Sequence, residues 1–168
     1  MNHPTVGIAA VTHLRPGDRS VIEILGIHLE WRVREADSNG HYCVLEMHVP
    51  SKAGVPLHEH AQQETFFVSV GRAEFGRLVE GRPEWFAVEA GDSVVVPAWT
   101  MHGFRNPADS PARINLTCSA GLEPFFDAAG IPVPHGAPLP QGALEPDENV
   151  VVCFSGITRH PEMESSGS

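Results

Sequence analysis

Apolar residues recur along this chain in short runs rich in Val, Ile and Phe, broken at regular intervals by turn-forming residues. Runs of that length and composition, bounded by Gly, Pro, Asn and Asp, are strand signals. Strands are expected at Val21–His28, Tyr42–Val49, Glu64–Val70, Ala73–Val79, Trp85–Val88, Ser93–Val96, Met101–Phe104 and Arg113–Ser119. The punctuation between them is Ser38-Asn39-Gly40, Gly71-Arg72, Glu80-Gly81-Arg82-Pro83, Gly91-Asp92 and Asn106-Pro107. Many short strands at this spacing predict an all-β protein, an antiparallel sandwich or barrel. One short helix is expected at Leu122–Ala129, preceded by Gly121 and capped by Gly130. Leu122, Phe125 and Phe126 share one face of it, which should pack on the barrel. Residues 131–149, rich in Pro and Gly, read as an irregular excursion. Val150–Phe154 reads as a late strand, and Glu162–Ser168 as a polar, disordered tail.

The length, 168 residues, suits one domain with a core that needs no disulfide. Charge changes the picture by exclusion. Eleven basic and 21 acidic residues give a formal net charge of −10. With no basic block to offset it, that excess opposes phosphate backbones and anionic lipid, so no nucleic-acid or membrane partner is expected. The first ten residues lack the features of a secretory signal, and no apolar run approaches a membrane span. The three cysteines, Cys43, Cys118 and Cys153, are widely spaced and read as reduced, partly buried thiols in a cytoplasmic protein.

The candidate chemistry lies between residues 58 and 106. His58 and His60 are two apart, so on a strand both face the same side. Glu64 follows, and His102 and Asn106 come about forty residues later. Three imidazoles and one carboxylate suit a divalent transition metal and are too nitrogen-rich for Ca or Mg. Fe(II) is the favoured ion, with Mn, Ni, Cu or Zn also compatible. His28, His41, His48, His135 and His160 read singly as ordinary surface or core histidines.

These residues carry a resemblance. The run from Pro56 to Gly71, with His58, His60, Glu64 and Gly71, is similar to the first cupin motif. Its pattern is His-x-His, three or four residues, Glu, six residues, Gly. Gly91, Pro97, His102 and Asn106 match the second motif in spacing. The family usually has a Gly about five residues before the first His. Lys52 stands near that place, with Gly54 closer, so the entry turn should differ. Trp99 stands where the second motif has Gly. That predicts an altered turn before His102 and a large aromatic near the barrel mouth.

The resemblance implies a single-domain small cupin: an antiparallel double-stranded β-helix, or jelly-roll barrel, over residues 18–130. It would follow an N-terminal segment, 1–17, and precede an extension, 131–168. It implies His58, His60, Glu64 and His102 as metal ligands, with Asn106, Gly71, Gly91 and Pro97 structural. The family is commonly dimeric, so a homodimer is expected. By strand parity, Phe66 and Val68 accompany Glu64 to the inner face, and Phe104 accompanies His102. Trp99, Tyr42, His48 and Asn115 complete the expected pocket for a small, aromatic or enolisable substrate. Three neutral imidazoles and one carboxylate on a divalent ion leave a +1 centre, which favours an anionic ligand. The leading reading is a small dioxygenase resembling quercetinase-like cupins, with Glu64 doubling as a base. A non-redox isomerase, lyase or cyclase using the same ligands is the second reading, and a non-enzymatic binding module the third.

Overall fold

The structure, a computed structural model, describes residues 10–141. Val150–Phe154, Cys153, His160 and the C-terminal tail lie outside the described residues. The chain forms two antiparallel sheets facing each other across one core. In chain order the strands are β1 (Val21–Ile24), β2 (Ile27–Val33), β3 (Tyr42–Val49), β4 (Gly54–His58), β5 (Glu64–Val70) and β6 (Arg72–Val79). They continue with β7 (Arg82–Glu89), β8 (Ser93–Val96), β9 (His102–Arg105), β10 (Ala112–Ser119) and β11 (Ile131–Val133). Helix α1 (Glu123–Ala129) lies between the last two, and a 3-10 turn, Glu35–Ser38, lies between β2 and β3. The larger sheet runs β11-β1-β2-β3-β10-β5-β8 and the smaller β4-β9-β6-β7, the layout of a jelly-roll barrel.

Period-two alternation builds the inner faces. On β3, Cys43, Leu45, Met47 and Val49 are buried, while Tyr42, Val44, Glu46 and His48 alternate outward. On β5, Glu64, Phe66 and Val68 face in, as parity predicted. Cys43 and Cys118 are free thiols directly opposite each other on β3 and β10, both buried. Their mutual hydrogen bonding, with burial, pushes the Cys118 pKa well above that of an ordinary thiol.

The expected strand Val21–His28 is in fact a hairpin. β1 ends at Ile24, Leu25 and Gly26 turn the chain, and β2 runs on to Val33. Both turn residues have positive φ, 54° and 79°, the type I′ geometry that matches strand twist. Leu25 lacks the usual Asn or Gly signature, which is why the sequence hid this turn. Strand β4 was not anticipated, because Pro56 and the neighbouring polar residues mask it. β11 extends the large sheet beyond residue 130, pairing with β1 inside the segment expected to be irregular.

Helix α1 starts one residue later than expected, with Leu122 as its N-cap and Gly130 at its C-cap. Gly130 is extended, φ −77°, so it is not needed for a left-handed cap. It is needed for space: a Cβ there would lie 2.6 Å from Ile22 Cδ1 and 2.6 Å from the Phe126 carbonyl oxygen. The helix is tied down by Arg34, whose Nε donates to Glu123 Oε1 at 2.7 Å and whose Nη2 donates to Asp127 Oδ2 at 2.6 Å. The backbone N–H of Glu35 donates to Glu123 Oε2 at 2.6 Å, and Glu35 Oε1 accepts from the Gly121 N–H at 2.8 Å. Phe126 meets Trp31 edge-on at 5.8 Å, so the apolar face packs on the barrel as expected.

Candidate metal centre

His58 ends β4 and His102 opens β9 directly opposite it. The strands approach closely because Gly103 follows His102: a Cβ there would lie 2.8 Å from the Val55 carbonyl oxygen and 3.0 Å from Leu57 N. His60 sits just past β4, and Glu64 opens β5 on the facing sheet. The ring centroids are 4.3 Å apart for His58 and His102, 5.4 Å for His58 and His60, and 5.1 Å for His60 and His102. One ligand nitrogen from each ring lies within 4.8 Å of the others. All three histidines and Glu64 are buried.

Hydrogen bonds prepare these rings as ligands. Nδ1 of His58 donates to the Pro56 carbonyl at 2.9 Å, and Nδ1 of His102 donates to the Thr100 carbonyl at 2.7 Å. With Nδ1 so engaged, Nε2 of each ring is turned toward the cluster, where that of His102 donates to Glu64 in the absence of a metal. Glu64 Oε2 lies 2.8 Å from His102 Nε2 and 3.5 Å from His60 Nε2. Burial, then the neighbouring His102, lowers the His58 pKa to about 3, so His58 is neutral and ready to bind a cation. Burial opposes ionisation of Glu64, but the hydrogen bond from His102 and the nearby His60 imidazole outweigh it and hold the carboxyl at about 2. Burial likewise opposes a charged His102, and the carboxylate of Glu64 prevails, raising its pKa.

His60 tests whether this donor set fits a metal. It is only 2% exposed, yet neither ring nitrogen has a hydrogen-bond partner among the described residues. A buried polar atom left without a partner is costly. A cation among His58, His60 and His102 would satisfy Nε2, so the donor set fits a divalent transition metal.

The second motif is built around this cluster. Trp99 has φ +56° and Lys52 has φ +65°. Both stand where the family pattern has Gly, and both keep the left-handed backbone that Gly would supply. The expected change of turn at these two places is therefore corrected: the turns persist with unusual residues in them. The Trp99 N–H donates to the His60 carbonyl at 2.8 Å, so it is the backbone of Trp99 that positions a ligand. Asn106, wholly buried, donates through Nδ2 to the carbonyls of Val49, Pro50 and Ser110 and accepts the Ala108 N–H on Oδ1. It pins the end of β9 to the β3–β4 turn.

A cavity of about 60 Å³ opens beside the histidines, roughly four to six times the space one buried water needs. Phe66 and Phe104 line it, as expected. The other expected pocket residues need correction. Tyr42 and His48 alternate with the buried residues of β3 and so face outward, and Asn115 faces outward between buried Ile114 and Leu116. Trp99 is 55% exposed and does not line the cavity. Val68 faces in but lies in the core beyond the cavity. Sequence reasoning missed part of the wall, formed by Leu25 of the β1–β2 turn and by Leu122, Phe125 and Phe126 around α1. The apolar face of α1 was the available signal, since a barrel mouth is one place such a face can go.

A facing pair of antiparallel sheets thus encloses a buried histidine cluster that could hold a metal ion. Residues 45–118 match the cupin domain family. Solved structures agree in fold. Oxalate decarboxylase from Bacillus subtilis superimposes with a TM-score of 0.57 at 19% identity, covering 70% of this chain. The match takes in 32% of that protein, so this chain corresponds to about a third of its length. An RmlC-like cupin from Shewanella frigidimarina superimposes with a TM-score of 0.53 at 24% identity, covering 68% of this chain and 96% of that one. No curated protein sequence matches the chain. Among the described residues, no helix is long and apolar enough to cross a membrane.

Proposed function

We propose that this protein is a metal-dependent enzyme, a small dioxygenase acting on an aromatic or enolisable small molecule. The observation that carries this reading is the buried His60 inside the His58–His102 cluster, whose ring nitrogens make no hydrogen bond among the described residues. His58, His60, His102 and Glu64 would hold the ion, with Fe(II) favoured. When bound, such an ion polarises an oxygen donor and lowers its pKa. The residues do the rest. His58 and His102 present fixed nitrogens, Phe66 and Phe104 exclude water, and the ionised Glu64 accepts a substrate proton at Oε2, beside His102. By family resemblance the enzyme works as a homodimer, which sedimentation would test.

The experiment is elemental analysis of the purified chain, with His58→Ala as control, followed by oxygen-uptake screening of enolisable substrates. About one redox metal per chain, lost in the variant, supports the reading. Stoichiometric zinc that supports turnover without oxygen uptake favours a non-redox isomerase, lyase or cyclase. An absence of metal after reconstitution leaves a binding module as the better account.

A further inference from the structure

The cavity wall divides sharply by chemistry. Its polar side chains are His58, His60, Glu64 and His102, gathered at one end. Among the described residues the rest of the lining is aliphatic or aromatic, with no Lys, Arg, Asn, Gln, Ser or Thr. Part of this apolar wall comes from two elements outside the motifs. One is α1, through Leu122, Phe125 and Phe126. The other is the tip of the β1–β2 hairpin, where Leu25 lines the cavity from a left-handed backbone, φ +54°, that leucine rarely adopts. Part of the apolar wall is therefore supplied by a helix lashed over the barrel and by a strained turn.

We infer that the site takes a single-headed ligand, with one anionic oxygen group at the histidine end and an apolar body of a few carbons against Leu25, Phe125 and Phe126. A second charged group would be buried against this apolar wall with no partner among the described residues. A single negative charge also matches the +1 that a divalent ion would leave among three neutral imidazoles and one carboxylate. Leu25 and Phe125 are thus specificity-determining residues that limit the length of the body. This inference rests on the metal reading above and adds to it the class of ligand.

The test uses the full chain loaded with cobalt(II) and a matched pair of probes, hexanoate and adipate, which differ only in a terminal carboxylate. Binding is followed by calorimetry and by the visible band of the cobalt. Hexanoate is expected to bind at least about tenfold more tightly than adipate. Leu25→Gly, which suits the left-handed backbone and so should fold, is expected to improve octanoate relative to hexanoate by about threefold or more. Phe125→Ala should do the same where its melting curve shows a folded protein. Cobalt bound with adipate equal to or tighter than hexanoate would overturn the inference and leave the metal reading standing. An unchanged chain-length preference in Leu25→Gly would overturn the role of the turn. Failure to bind cobalt at all would overturn the metal reading, and this inference with it.

Discussion

Replacing Gly103 by alanine tests how the two motif strands are held together. The added Cβ would lie 2.8 Å from the Val55 carbonyl oxygen, 3.0 Å from Leu57 N and 3.0 Å from Pro56 C. All three are backbone atoms of β4, so no side chain can swing away. Ordinary contact begins near 3.4 Å, so β9 must move off β4 by about half an ångström. Overpacking of a buried site costs about 1–3 kcal/mol, and backbone on every side argues for the upper end. For a chain of this size, about 2–3 kcal/mol corresponds to a fall in Tm on the order of 4–12 °C. The same displacement separates His58 from His102, which are partners across these two strands. Metal affinity, measured by competition with a chromogenic chelator, should therefore fall with Tm. Gly91→Ala is the control: its added Cβ meets nothing within 4 Å, although its φ is +102°. It should lose stability through backbone strain and keep its metal affinity. If Gly103→Ala matched the parent in both Tm and affinity, the claim that close strand approach sets the ligand geometry would be refuted.

Three further outcomes follow from the geometry. Trp99→Gly should be more stable than Trp99→Ala by about 1 kcal/mol in urea unfolding, because both lose the same side chain and only Gly relieves the positive φ; equal stabilities would contradict this. His58→Ala should abolish stoichiometric metal binding yet keep a cooperative melt, since the core is built without the site; an unfolded variant would mean the metal is structural as well. The metal-free protein should lose stability as pH falls. His58 has a folded pKa near 3 against 6.5 unfolded, so the unfolded chain takes up its proton first and stability declines from about pH 6.5 to 3. Glu64, near 2 against 4.5, stabilises above pH 4.5 and loses that contribution as pH falls toward 2. His102, raised, contributes in the opposite sense: its stabilisation is present below 6.5 and is lost as pH rises through its folded pKa. In urea titrations across pH, His58→Ala should flatten the upper part of the acid decline, and an unaltered profile would refute that assignment.

What the sequence by itself determined was whatever depends on near neighbours. The two-residue spacing of His58 and His60, the alternation in β3 and β5, and the turns at Gly71, Glu80-Gly81 and Gly91 are local, and each was legible. The outward facing of Tyr42, His48 and Asn115 was legible too, from the buried residues that alternate with them, and was overlooked in favour of their polar chemistry. Tertiary structure alone decided the rest. The Leu25-Gly26 hairpin carries no turn signature at its first position, and it forms because pairing β1 with β2 outweighs the strain on one leucine. Trp99 and Lys52 hold left-handed turns for the same reason: the surrounding hydrogen bonds fix the backbone whatever the side chain. The wall of the cavity joins residue 25 to residues 122–126, elements about a hundred positions apart whose meeting is written in packing rather than in any local pattern.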